Sequence, residues 1–104
     1  MDEQYFTDSS PATADEVRTI EVSARGFDLS MGVSSRVFSG SKLDLGTRQL
    51  LEIAPDLPEG GTFLDLGCGW GPIATIMSLE SPSAAVWAVD VNSRAVDLTQ
   101  RNAQ

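Results

Sequence analysis

Gly67, Gly69 and Gly71 alternate with other residues in the stretch Phe63 to Pro72, FLDLGCGWGP, with Asp65 just ahead of them and Asp90 downstream. Glycines in that pattern after an apolar run make a turn over which a ligand can approach the backbone, and a helix starting there points its N–H groups at the ligand. An acid at the tip of the next strand is the usual acceptor for ribose hydroxyls. The two features together point to a nucleoside-containing ligand. The spacing is G-x-G-x-G, whereas dinucleotide sites carry G-x-G-x-x-G. Pro72 removes one N–H from the helix start that would otherwise face a pyrophosphate. Asp65 would repel phosphates and suit a cation. The expected ligand therefore has a ribose and a cationic centre, and no phosphate.

These residues need a strand ahead of the glycines and another ahead of Asp90, and the sequence supplies both. TFLDL (62–66) is an apolar run with one acid, PIATIMSLE (72–80) has helical spacing, AAVWAVD (84–90) is apolar, and SRAVDLTQRNA (93–103) is an amphipathic helix. Strand, helix, strand, helix with apolar strands implies parallel strands buried on both faces and joined by right-handed crossovers, the start of a doubly wound α/β sheet. Upstream, Ile20, Val22 and Ala24 alternate with polar residues, as do Phe27, Leu29, Met31 and Val33. Arg25 and Gly26 fall between the two runs, so the pattern predicts an antiparallel hairpin with one buried face and a tight turn. A short helix is expected from about Gly46 to Ile53, capped by Asp44 or Thr47 and ended by Pro55 and Pro58, with a turn through Glu59, Gly60 and Gly61. Residues 1–16 are polar and acidic and read as a lead-in segment, with Tyr5 and Phe6 its only large apolar side chains.

Composition narrows the chemistry. At 104 residues the chain is at most one small domain, and 41% hydrophobic with 21% charged residues is the make-up of a globular protein. Fifteen acids against seven bases give a net charge of −8, which repels nucleic-acid backbones, so this stretch alone is a poor nucleic-acid binder, and if the substrate is RNA the basic surface must lie elsewhere. No signal peptide or membrane span is expected, and the single cysteine, Cys68, agrees with a reducing, cytoplasmic setting. The absence of histidine removes Cys/His and Ser/His catalysis and the commonest metal ligand. No metal site is expected.

S-adenosylmethionine has a ribose, a sulfonium and an amino group and no phosphate, and suits the glycine turn better than a nicotinamide dinucleotide does. FLDLGCGWGP resembles motif I of the class I S-adenosylmethionine-dependent methyltransferases, and AVDVNSRAVDLTQRNA resembles their ribose-binding strand and following helix. VFSGSKLDLGTRQLL and YFTDSSP are similar to segments of the small-domain methyltransferases, typified by bacterial rRNA guanine-N2 methyltransferases. The resemblance implies a Rossmann-like class I methyltransferase fold, here its cofactor-binding front half (residues 17–104) with an N-terminal antiparallel hairpin. It implies that Asp65, Gly67, Cys68, Gly69 and Gly71 surround the methionyl part of the cofactor, that Asp90 holds the ribose, and that Val91 and Asn92 border the adenosine. Phe38, Ser39, Asp44 and Thr47 would lie near the cofactor, with Asp44 and Thr47 the contacts to expect.

The sequence departs from the family in two places. SRVF stands where relatives carry a Pro-Gly-containing version, and no Asn-Pro dipeptide occurs, although the family uses an Asn-Pro-Pro-aromatic motif to hold the amino group being methylated. The catalytic, acceptor-holding residues are therefore unassigned. A full methyltransferase sheet needs about twice this length, so the chain reads as a fragment, inactive by itself, with exposed strand edges that invite self-association. The implied activity is N-methylation of rRNA at guanine N2. Glutamine N5-methylation of protein, a nucleotide-binding oxidoreductase and a non-catalytic binding fragment are the alternatives.

Several residues also have a plain structural reading. The glycines can form a mere strand-to-helix turn, Asp90 and Asp44 can be helix caps, and Cys68 can be a small filler in a crowded turn. Trp70 and Trp87 read as packing residues, Trp87 in a buried strand, while Arg94 and Arg101 read as a solvated face.

Overall fold

A two-residue connection sets the register of the first element. Strand β1 (Val17–Ala24) pairs antiparallel with β2 (Phe27–Ser34), with Ala24 opposite Phe27 and Val17 opposite Ser34. Arg25 and Gly26 both have positive φ, 52° and 84°, the type I′ geometry whose twist matches the strands. Ile20, Val22, Met31 and Val33 are buried on one face of this hairpin, as their alternation predicts. The structure, a computed structural model, describes residues 17–38 and 40–103. The lead-in segment 1–16 and Ser39 lie outside the described residues.

Helix α1 (Leu45–Ile53) begins at Asp44, whose side chain accepts a hydrogen bond from the Thr47 N–H. Of the two candidate caps, Asp44 is the one used. Pro55 disfavours helical geometry at Ala54, which is extended (φ −62°, ψ 140°), and α1 stops there. Strand β3 (Thr62–Leu66) pairs parallel with β4 (Ala85–Val89), Leu64 opposite Trp87 and Leu66 opposite Val89. Helix α2 (Pro72–Glu80) connects them, and α3 (Ser93–Asn102) follows β4. Pro72 occupies the first turn of α2, where its missing N–H costs nothing and its fixed φ suits the helix.

The two helices lie between the β3–β4 pair and the hairpin. Ile76 of α2 and Leu98 of α3 join Ile20, Val22, Met31, Val33, Leu43, Leu51 and Trp70 in one apolar cluster. A single guanidinium locks the hairpin turn to the helices. Arg25 donates from Nε and Nη2 to both Glu80 carboxylate oxygens at the end of α2, and from Nη1 and Nη2 to the carbonyls of Leu51, Ala54 and Pro55. Glu80 also accepts from the Leu57 N–H, 2.8 Å away.

Three expectations need correction. The parallel strands are covered on one face only, since Leu64, Leu66, Trp87 and Val89 are 62%, 77%, 64% and 44% exposed. Side chains alternate across a strand, so α2 and α3 cover the Phe63, Asp65, Val86 and Ala88 side while the other face has no element against it among the described residues. Trp87, on that open face, is consequently not a buried packing residue. Arg94 is not solvated either. It is 1% exposed on the inward arc of α3 with Ala95, Leu98 and Thr99, whereas Arg101 is exposed as expected.

Candidate functional site

The carboxyl ends of the two parallel strands bring the glycine loop and Asp90 together. Gly67 and Cys68 N–H groups both donate to the carbonyl of Val89, at 2.7 and 2.9 Å, which carries the strand pairing into the loop. Asp90 then joins the two loops through its side chain. One carboxylate oxygen accepts from the Gly69 N–H and the other from the Asn92 N–H, each at 2.9 Å. A carboxylate oxygen can accept more than one hydrogen bond, so both retain capacity for hydroxyl donors. Asp90 is not the cap of α3. That role belongs to Asn92, whose Oδ1 accepts from the Arg94 N–H at 2.9 Å.

Gly67, Gly69 and Gly71 all have positive φ, at 74°, 58° and 96°. A Cβ on Gly67 or Gly69 would meet nothing within 4 Å, so the loop leaves open space there. Gly71 differs. A Cβ on it would stand 2.8 Å from Thr99 Oγ1 and 2.9 Å from Thr99 Cα, so this glycine lets α3 press against the start of α2.

Asp65 is 8% exposed on the helix-covered side of β3, and its Oδ2 accepts from the Ala74 N–H at 3.1 Å. Gly71, the cap residue of α2, has no side chain to offer, so Asp65 caps the helix from the neighbouring strand and sets its charge at the positive helix end. Burial pushes the Asp65 carboxyl above its ordinary value, the Ala74 N–H opposes the rise, and the charge of Asp90 adds to it. The Cys68 thiol is likewise raised, first by burial and then by Asp90 and Asp65. Its side chain is buried, with Thr99 Oγ1 at 3.3 Å from its sulfur. The carboxyl groups of Asp65 and Asp90 both lie close enough to the glycine loop to act on the Cys68 thiol.

The remaining expected residues are distributed around this centre. Val91 is 65% exposed next to Asp90. Phe38 packs against Trp70 in a tilted pair with ring centroids 5.3 Å apart, which brings the segment before α1 to the glycine loop. Trp70 is a packing residue, 5% exposed. Asp44 and Thr47 bond to each other, with Thr47 Oγ1 donating to Asp44 at 2.8 Å, and their hydrogen bonds reach no residue of the loop among those described. The Asp44 carboxyl is lowered by the Thr47 hydroxyl and N–H.

Sequence reasoning missed Thr99 and Asn102. Thr99 Oγ1 donates to the Gly69 carbonyl at 3.0 Å, and Asn102 Nδ2 donates to the Trp70 carbonyl at 2.7 Å. Both are polar residues on the inward arc of an amphipathic helix, and that signal was available in the sequence.

Comparison with known proteins gives a consistent result. The family described as methyltransferase small domain matches residues 28–104. The uncharacterized protein YbxB of Bacillus subtilis (strain 168) is 32% identical over 104 residues, 100% of this chain and 51% of that protein. The ribosomal RNA small subunit methyltransferase C of Pseudoalteromonas translucida is 46% identical over 63 residues, 61% of this chain and 18% of that protein. The ribosomal RNA large subunit methyltransferase G of Cronobacter sakazakii is 33% identical over 96 residues, 92% of this chain and 25% of that protein. The chain spans about half the length of YbxB and a quarter or less of the other two.

Proposed function

The chain belongs to the methyltransferase small domain family, and from that premise we propose that residues 17–104 form the cofactor-binding half of an S-adenosylmethionine-dependent N-methyltransferase, with residues 1–16 leading into it. The observation that carries the reading is the 2.9 Å hydrogen bond from the Gly69 N–H to Asp90, which sets a carboxylate with spare acceptor capacity beside an open glycine loop. The residues fit the cofactor. The open space at Gly67 and Gly69 admits a ligand against the backbone, the remaining acceptor capacity of Asp90 suits ribose hydroxyls, and the Asp65 and Asp90 charges suit a cation. Exposed, apolar Val91 and the neighbouring Asn92 would border the base.

The bound cofactor supplies a methyl group on a sulfonium centre. The part of this chain is to bind and orient it, because direct displacement depends mainly on positioning and needs no covalent enzyme intermediate. That role agrees with a chain lacking histidine. The acceptor is ribosomal RNA, with guanine N2 the favoured atom; the names of two relatives and the resemblance of VFSGSKLDLGTRQLL support it. A chain of net charge −8 with no Asn-Pro dipeptide leaves RNA contact and acceptor binding to other residues, so these 104 alone would not transfer the methyl group. An rRNA substrate puts the protein in the cytoplasm, and no described helix is long and apolar enough to cross a membrane. The open β3–β4 face, with a free edge on each strand among the described residues, would also let copies self-associate.

Calorimetric titration with S-adenosylhomocysteine tests the assignment. The expected result is saturable binding that Asp90→Ala weakens by about 30- to 100-fold, the worth of hydrogen bonds to a charged acceptor. Equal affinity in the variant, or preference for a nicotinamide dinucleotide, would sink the reading.

A further inference from the structure

We propose that Thr99 and Asn102 are positioning residues that hold the glycine loop in its ligand-ready shape, and that Asn102 couples this loop to the hairpin. The inference rests on the reading of the loop as the cofactor site. The two residues are three apart on α3 and so lie on one face of the helix. They donate to consecutive loop carbonyls, Thr99 to Gly69 and Asn102 to Trp70. Gly69 is thus gripped from both sides, its N–H by Asp90 and its carbonyl by Thr99, while its Cβ direction stays open.

Asn102 does more than close the loop. Its Oδ1 accepts from the Gly32 N–H at 2.7 Å and its Nδ2 donates to the Gly32 carbonyl at 2.9 Å, so the side-chain amide pairs with β2 as a neighbouring strand would. The second Nδ2 hydrogen serves Trp70. One amide, with its acceptor and both donors engaged, reaches strand β2 across 70 residues of sequence and the glycine loop across 32, and so ties the two together. A group so fully used transmits any displacement of the hairpin to the loop.

The test uses three variants of the 104-residue chain. Thr99→Val keeps the shape and removes the hydroxyl, Thr99→Ser restores it, and Asn102→Asp keeps the acceptor for Gly32 while removing both donors. Amide hydrogen exchange and S-adenosylhomocysteine titration are the readouts. In Thr99→Val and Asn102→Asp, the Gly69 and Gly71 amides should exchange about tenfold faster and affinity should fall about tenfold. Thr99→Ser should restore both, and in Thr99→Val the amides of β1 should stay protected. Loop amides unchanged in Thr99→Val, no rescue by serine, or uniform acceleration through the hairpin in Thr99→Val would overturn the inference. A wild-type chain that does not bind the cofactor product defeats the functional reading instead, and exchange still decides whether the clamp exists.

Discussion

Replacing Arg25 by Asn tests how the hairpin is fastened to the helices. Arg25 sits at φ 52°, a region Asn tolerates better than Arg does, so the substitution relieves the turn while removing the guanidinium. Five donated hydrogen bonds are lost, two of them to the Glu80 carboxylate. The ion-pair side chains are only 11% and 19% exposed. Breaking a buried pair costs about 3–5 kcal/mol, and partial access of water to Glu80 and the three carbonyls reduces this to about 2–4. Relief at the turn returns less than about 1 kcal/mol. With a urea slope of about 1–1.5 kcal/mol/M, the midpoint of unfolding should fall by about 2 M. The pair also predicts a pH signature. Arg25 holds the Glu80 carboxyl down to about 2 from its ordinary value of 4.5. A carboxyl depressed in the folded state stabilises fully above its unfolded value, and that stability is lost as pH falls through the folded one. The wild type should therefore lose stability between about pH 5 and 2, and Glu80→Gln should lose less over the same range. A midpoint shift below about 0.3 M in Arg25→Asn, or the same acid slope in Glu80→Gln, would refute the reasoning.

Three further outcomes are expected. Asp65→Asn removes a carboxyl whose folded value is raised, so the charge opposes folding once pH exceeds that value. Its urea midpoint at pH 7 should not fall, while calorimetry should find S-adenosylmethionine binding weakened more than that of the uncharged-sulfur product. Gly71→Ala forces a Cβ to 2.8 Å from Thr99 Oγ1 at a φ of 96° and should lower stability by about 2–4 kcal/mol in the same urea assay. Trp87→Gln with Leu66→Thr, on the open strand face, should leave the far-ultraviolet spectrum unchanged and reduce self-association in sedimentation velocity.

Much of this protein is written in local pattern. Period-two alternation around Arg25 and Gly26 fixes the hairpin, because a strand with one buried face can adopt only one register without turning its apolar side chains to water. Pro72 after Gly71 fixes the start of α2, and the fully apolar segments before Gly67 and Asp90 become the two parallel strands. The turn at Gly67, Gly69 and Gly71 was legible because a chain that leaves a strand and enters a helix so abruptly needs residues that take positive φ, and Asp90 was placed beside it by the end of the neighbouring strand. Local pattern reports which way a residue faces, and only packing decides what it meets. The continuous apolar runs 62–66 and 84–90 implied cover on both faces, yet cover of Leu64, Leu66, Trp87 and Val89 depends on another element being present against them. Arg94 was assigned to solvent by its charge, and the arc it shares with Ala95 and Leu98 put it inside. Arg25 looked like a turn residue until tertiary structure brought Glu80 within reach across 55 positions, and Asn102 found Gly32 across 70. Contacts at such separations leave no periodic trace, because they form only when the whole chain has already folded around them.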